Sequence, residues 1–200
     1  MTTSTSTPRL RITLGWYLIV VLLVALSDRP WTHHWSGDLA SVAGLLLMAG
    51  AALGRVWTSA FIAGSKAERL VTIGPYSLCR HPLYALSILG GLGVGLASRS
   101  VFILGLTLML LVILHLRAIR DEERTLAARH QAAFRRYCDA VPRLIPRELR
   151  MRTPSDVQLN VAVYWKAFLD AGSYIALYAA LAVLDGLHAA GVLPAWFVLW

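Results

Sequence analysis

Charge is scarce in this sequence, and acidic residues are scarcest. Of 200 residues only 15% are charged, with 11 Asp and Glu against 19 Lys and Arg. A soluble domain carries about a quarter charged residues, so composition argues against both a soluble enzyme and a disordered chain. Cysteine is nearly absent. Cys79 and Cys138 stand 59 residues apart, too few for a disulfide scaffold, and no Cys/His pair has zinc spacing. Both read as free thiols. No metal site is expected.

Apolar residues are plentiful, at 57% of the chain, and the mean hydropathy is +0.60. The expectation is an all-α polytopic membrane protein with about five membrane helices. Residues 1–11 read as a Thr/Ser-rich disordered tail ending in Arg9 and Arg11. The apolar run Ile12–Leu26 follows and reads as a retained first helix, not a cleaved leader. Residues 27–37 form a loop with Pro, Gly and two interfacial Trp. Leu39 to about Ile62 makes a second helix that continues past Arg55. Pro82–Ser98 and Val101–Leu116 are separated by Ser98-Arg99-Ser100 alone, so they form a tight helical hairpin with Arg99 at its tip. Residues 12–154 make up the core, 117–154 its polar segment, and 155–200 a last membrane helix and an apolar, aromatic tail.

The net charge of +8 has a place. Residues 117–152 hold ten Arg and five acids, and 64–81 carries Lys66, Arg69 and Arg80 against Glu68. The positive-inside rule puts the N-terminus and both basic segments in the cytoplasm and the 27–38 loop outside. Basic surface of this kind serves topology and binding to membrane lipids. Nucleic acid is a poor partner, because the segment lacks a stacking platform or groove-reading motif.

Three clusters could carry chemistry. Leu116, Ile119, Glu123, Leu126, His130, Phe134 and Tyr137 follow a 3-4-3-4-4-3 spacing, one stripe of an amphipathic helix. Glu123 lies inside that stripe, with Glu122 one position off it. A lone buried carboxylate is costly, so Glu123 needs a cation: Arg80 or Arg120 in a structural pair, or a cationic ligand. The second cluster is GPYSLCRHPLY at 74–84. Pro82 suits the first turn of a helix, so Arg80 and His81 sit at a helix N-terminus, which favours an anion, with Tyr76 and Tyr84 beside it. Snorkelling Arg and interfacial His and Tyr are the structural alternative. The third is the GxGxG at 91–95. No strand precedes it, so it is no Rossmann turn. It serves either helix packing through Gly91 and Gly95 or close approach of a cofactor. His33, His34, His115 and His188 have no carboxylate at useful spacing.

The order GPYSLCRHPLY, apolar hairpin, DEERTL at 121–126, then AFRRYCDAVPRLIP at 133–146 resembles the isoprenylcysteine carboxyl methyltransferase superfamily, which includes phospholipid N-methyltransferases. The likeness spans roughly 40–147, with 41 residues from His81 to Glu122. It implies an integral membrane enzyme using S-adenosylmethionine and releasing S-adenosylhomocysteine. By position, His81, Tyr84 and Glu123 contact the cofactor, with Glu122, Tyr76, Gly91 and Tyr137 beside them. Glu123, His81 and Arg80 are the catalytic candidates, and Arg143 is assigned to the substrate. The acceptor is lipophilic or a small amphiphile with a carboxylate, thiol or amine. Where the family often has Gly two residues after the Tyr, this chain has Leu86, and Gly90 and Gly91 are expected to serve instead. The alternative is a non-catalytic membrane protein, an assembly factor or transporter, in which Glu123 is paired with Arg80 or Arg120.

Overall fold

The computed structural model describes residues 6–62, 70–148, 150–157 and 159–200, with side chains from residue 11 onward. Lys66, Glu68 and Arg69 of the basic loop lie outside the described residues, as do residues 1–5 of the tail. Five helices dominate: α1 (Ser6–Leu26), α2 (Trp35–Ile62), α3 (Pro82–Ala97), α4 (Val101–Ala140) and α5 (Val161–Ala189). Of these, α2, α4 and α5 are long and apolar enough to cross a membrane, and two apolar helices, Arg11–Leu26 and Pro82–Ala97, are shorter.

The helices differ from expectation at three places, the first being that α2 begins at Trp35, inside the stretch read as a loop. Helix α1 begins at Ser6, inside the stretch read as a disordered tail. Pro8 falls in its first turn, where a missing N–H breaks no helical bond. The fourth apolar run and the amphipathic stripe share one helical element, α4. After Gly105 it contains no Gly and no Pro, so the apolar run passes directly into the stripe. A local non-helical residue, Gln131 (φ 39°), interrupts it, and Val141-Pro142 follows its end. The stripe is as predicted: Ile119, Phe134 and Tyr137 are buried, while Arg120, Arg124, Arg129, Arg135 and Arg136 are exposed.

The chain divides into two compact units. The first comprises residues up to Gly50, Leu89–Leu114 and Ser173–Trp200; the second comprises Ala51–Ile88 and His115–Gly172. In the first, α3 is packed through glycine. A Cβ on Gly93 would meet Gly44 O of α2 at 2.7 Å, and Cβ atoms on Gly91 and Gly95 would meet Leu111 and Leu104 of α4 at 2.0 and 2.5 Å. The GxGxG is therefore a packing element, the close-approach pattern of apolar helices. The aromatic tail is also ordered here. Strand β1 (Ser27–Asp28) pairs in parallel with β2 (Phe197–Val198), in the register Ser27 with Phe197. Ser100 Oγ and the Phe102 amide both donate to Trp200 O.

Arg99 is more than a hairpin tip. It adopts φ 53° and reaches Asp38 at 2.9 Å and Asp185 at 3.4 Å. Arg29, 2% exposed, pairs with Asp185 at 2.7 Å and donates to Ser98 O at 3.0 Å. Neither the Arg29–Asp185 pair nor the β1–β2 ladder was visible in the sequence, because each joins residues more than 150 positions apart.

In the second unit, Gly54 of α2 faces Leu86 of α3, whose Cδ2 lies 2.7 Å from where a Cβ would stand. Leu86, the departure from the family pattern, thus packs over a glycine on the neighbouring helix. In the first unit, Gly90 faces Tyr174 and Gly91 faces Leu111.

Candidate active site

The site lies in the second unit and begins with a turn. Gly74 holds φ 60°, and a Cβ there would meet the Phe61 ring at 2.3 Å, so only glycine serves. Its amide donates to Arg152 O at 2.7 Å, and Ser77 Oγ accepts from the Arg152 amide at 2.9 Å. Tyr137 of α4 donates its hydroxyl to Tyr76 O at 2.6 Å. The 74–81 segment is thereby tied to the chain that follows α4. Arg80 and His81 extend the tie: their amides donate to Pro142 O at 2.8 Å and Arg143 O at 3.1 Å.

That last contact alters one expectation. The amides before α3 are spent on backbone carbonyls, and those of Tyr84 and Ala85 bond His81 O. An anion at this helix start would meet side-chain cations more than free amides.

Glu123 is the hub, 13% exposed. Its Oε1 accepts from Arg80 Nε at 3.2 Å and Nη2 at 3.0 Å, from His81 Nε2 at 3.2 Å and from Arg143 Nε at 3.2 Å. Its Oε2 accepts from Arg143 Nη2 at 2.6 Å. The expected cation is thus Arg80, joined by Arg143, while Arg120 is exposed. Arg80 Nη1 also donates to Cys138 O and Val141 O at 2.9 and 3.1 Å. It caps the carbonyl end of α4, where a cation suits the helix dipole. Arg143 is the outermost member, 48% exposed.

His81 is buried, and its pKa lies below the ordinary histidine value. Desolvation is the cause, and it outweighs the pull of Glu122 and Glu123. A neutral ring bonded to a carboxylate carries its proton on Nε2. Nδ1 then keeps a lone pair, 3.9 Å from Glu122 Oε2. Tyr84 tilts against the His81 ring at 5.7 Å, and its other side meets His115 of α4 edge-on at 5.3 Å. Tyr76 is buried, and burial pushes its phenol far above the ordinary range, so it stays a neutral anchor.

Arg80, His81, Glu123 and Arg143 are therefore brought into one bonded cluster, with Glu122 at its edge, Tyr84 against His81, and Tyr76 and Tyr137 as its scaffold. Gly91 belongs to the first unit, where a Cβ on it would meet Leu111 and come near Thr107. Two neighbours escaped the sequence reading. His115 looked isolated but faces Tyr84. Arg55 bonds Ser87 Oγ on α3, and its only signal was being the one charge between Leu39 and Ile62. Cys79 and Cys138 are free thiols.

Comparison with known proteins covers the same ground. The chain is 32% identical, over 90% of its length and 84% of the relative, to the cobalt-zinc-cadmium resistance protein CzcN of Cupriavidus metallidurans. It is 28% identical, over 92% of its length and 87% of the relative, to the nickel-cobalt-cadmium resistance protein NccN of Alcaligenes xylosoxydans xylosoxydans. No solved structure matches. The model of the phospholipid methyltransferase family matches residues 33–132, a span that holds both the Arg80-His81 turn and the Glu122-Glu123 helix. The cluster joins these two segments, and the match runs through both: the chain is a member of the phospholipid methyltransferase family, within the superfamily that includes the isoprenylcysteine carboxyl methyltransferases.

Proposed function

We propose that this protein is a multi-pass membrane methyltransferase that transfers a methyl group from S-adenosylmethionine to a lipophilic or small amphiphilic acceptor, with its site on the cytoplasmic side. One observation carries the reading. Glu123 gathers Arg80, Arg143 and a neutral His81 in a family whose activity is methyl transfer.

The residues present fit the cofactor's charged ends. Arg143 is half exposed and bonds Glu123 from outside, so it is the member free to exchange. Glu123 can then hold an ammonium group, and Arg143 and Arg80 a carboxylate. When bound, S-adenosylmethionine supplies a methyl group on a sulfonium, with a neutral thioether as leaving group. The protein's part is alignment and exclusion of water. A carboxylate or thiolate needs no base. A protonated amine or thiol must first lose its proton, and His81 Nδ1 offers a lone pair, with Glu122 beside it to stabilise the imidazolium.

A second reading has specific support. A non-catalytic scaffold requires Glu123 to pair with Arg80, as it does, and both relatives are named for metal resistance rather than methyl transfer. Among the described residues no three His, Cys, Asp or Glu side chains group as a metal site. The enzyme reading accounts for the Arg80 pair as the fixed side of the cluster and for Arg143 as its exchangeable side. Methyl transfer decides between them. Membranes carrying the wild-type chain, incubated with methyl-labelled cofactor, should label a lipid-extractable or small amphiphilic product, and Glu123→Ala membranes should not. Equal labelling in both would refute the assigned site.

A further inference from the structure

Arg55 stands in the apolar body of α2, half-buried. Its Nη1 donates to Ser87 Oγ and, at 3.4 Å, to Leu83 O, both on α3. Both acceptors are neutral. Arg29, Arg80, Arg99 and Arg143 each bond a carboxylate, whereas among the described residues no carboxylate pairs with Arg55. A permanent cation in an apolar helix is costly to keep. A pin between α2 and α3 needs only a neutral donor, which Gln or Ser supplies without that cost. The uncompensated charge is what an oxyanion requires.

Its place selects the oxyanion. Arg55 grips the α3 turn that follows His81. Ser87 lies six residues beyond His81, about 9 Å farther along the helix, toward the apolar run and away from the loop. Tyr84 sits in the same turn and faces His115, so polar groups extend from the Glu123 cluster into the apolar part of α3 and α4. The cofactor's carboxylate already has Arg80 and Arg143. Gly54, next in the chain, lets α2 approach Leu86 closely and brings Arg55 within reach of Leu83 and Ser87.

We propose that Arg55 is a specificity residue that binds an acidic group, carboxylate or phosphate, of the methyl acceptor. This rests on the methyltransferase reading above.

The test uses full-length protein in neutral nanodiscs: wild type, Arg55→Gln, Arg55→Lys and Ser87→Ala, each checked for helical content. Affinities are measured for oleate against oleyl alcohol and for phosphatidate against diacylglycerol, with S-adenosylhomocysteine titrated in parallel. The two pairs distinguish a carboxylate from a phosphate. Wild type should prefer the anionic member of at least one pair. Arg55→Gln should lose that preference by about 10- to 100-fold, the range of a charge-assisted bond. Arg55→Lys should keep part of it and Ser87→Ala all of it. S-adenosylhomocysteine binding should hold in all four. Equal loss for anionic and neutral members would make Arg55 a structural pin, and loss of S-adenosylhomocysteine would assign it to the cofactor. Unchanged preference in Arg55→Gln would also overturn the proposal. Failure of wild type to bind S-adenosylhomocysteine would remove the methyltransferase reading itself, and the proposal with it.

Discussion

Each unit of the molecule holds a cluster of arginines around a carboxylate, and the two clusters are built differently. In the first unit, Asp185 gives one oxygen to Arg29 and the other to Arg99, and Asp38 takes a second bond from Arg99. Two cations meet two anions. Arg29 also binds Ser98 O, so the cluster clasps the 27–33 loop, the α3–α4 turn and α5. In the second unit, a single oxygen of Glu123 accepts from three side chains, and the outermost, Arg143, is half exposed. One pattern balances its charges over several oxygens. The other concentrates donors on one acceptor and leaves an edge that a ligand can enter. Sharing and charge balance, more than the presence of charge, separate a structural ion pair from a candidate site.

Five single substitutions and one double variant would break or sharpen that contrast. Glu123→Ala should have the largest effect. It removes the common acceptor of the second cluster, and methyl transfer should fall about 100- to 1000-fold, the range for loss of a preorganised stabilising group. The protein should remain membrane-inserted and helical by circular dichroism. Arg29→Ala should act on stability instead. It leaves Asp185 with a partner missing at a buried site, a cost of about 3–5 kcal/mol. The double variant Arg29→Met with Asp185→Leu should recover much of that loss in thermal denaturation. In neither should S-adenosylhomocysteine affinity of the folded fraction change. If Arg29→Ala abolished cofactor binding at unchanged stability, the contrast would collapse.

The two arginines on Glu123 divide the roles further. Arg80→Lys strips donors from Cys138 O, Val141 O or Glu123, which one ammonium cannot all serve. It should lower both melting temperature and activity, by about 10- to 100-fold for the latter. Arg143→Lys should leave the melting temperature nearly unchanged and raise the cofactor KM by a smaller factor. The smallest effect concerns pH. Folding holds His81 neutral by burial, so the unfolded chain binds its proton first. Stability from this group is present above the unfolded histidine value of about 6.5 and is lost as pH falls below it. His81→Gln should flatten the melting temperature against pH between about 5 and 7, whereas wild type should decline there.

Much of the fold was legible. The apolar runs located the helices, the Ser98-Arg99-Ser100 break located the hairpin, and the stripe from Leu116 to Tyr137 gave the buried face of α4. The site was legible where local pattern sufficed: Pro82 marked a helix start, which put Arg80 and His81 together, and stripe position marked Glu123 as needing a cation. What failed was long-range or backbone-borne. The bonds from Arg80 and His81 to Pro142 and Arg143 involve carbonyls that every residue has, so no side-chain pattern announces them. The GxGxG was legible as no phosphate turn, since no strand precedes it, but its partners Leu111, Leu104 and Gly44 were not. Arg29 with Asp185, and Arg55 with Ser87, join residues on different helices whose register the sequence does not specify.

The central claim is that the Glu123 cluster holds a methyl-donating cofactor, and calorimetric titration of purified protein with S-adenosylhomocysteine tests it most directly, beside Glu123→Ala, His81→Ala and Arg29→Ala. The account predicts saturable binding near the micromolar range by wild type and by whatever folded fraction Arg29→Ala retains, and none by the folded Glu123 and His81 variants. Absence of binding by stable wild-type protein in both detergent and nanodiscs would contradict it and leave the family fold as a scaffold without its chemistry.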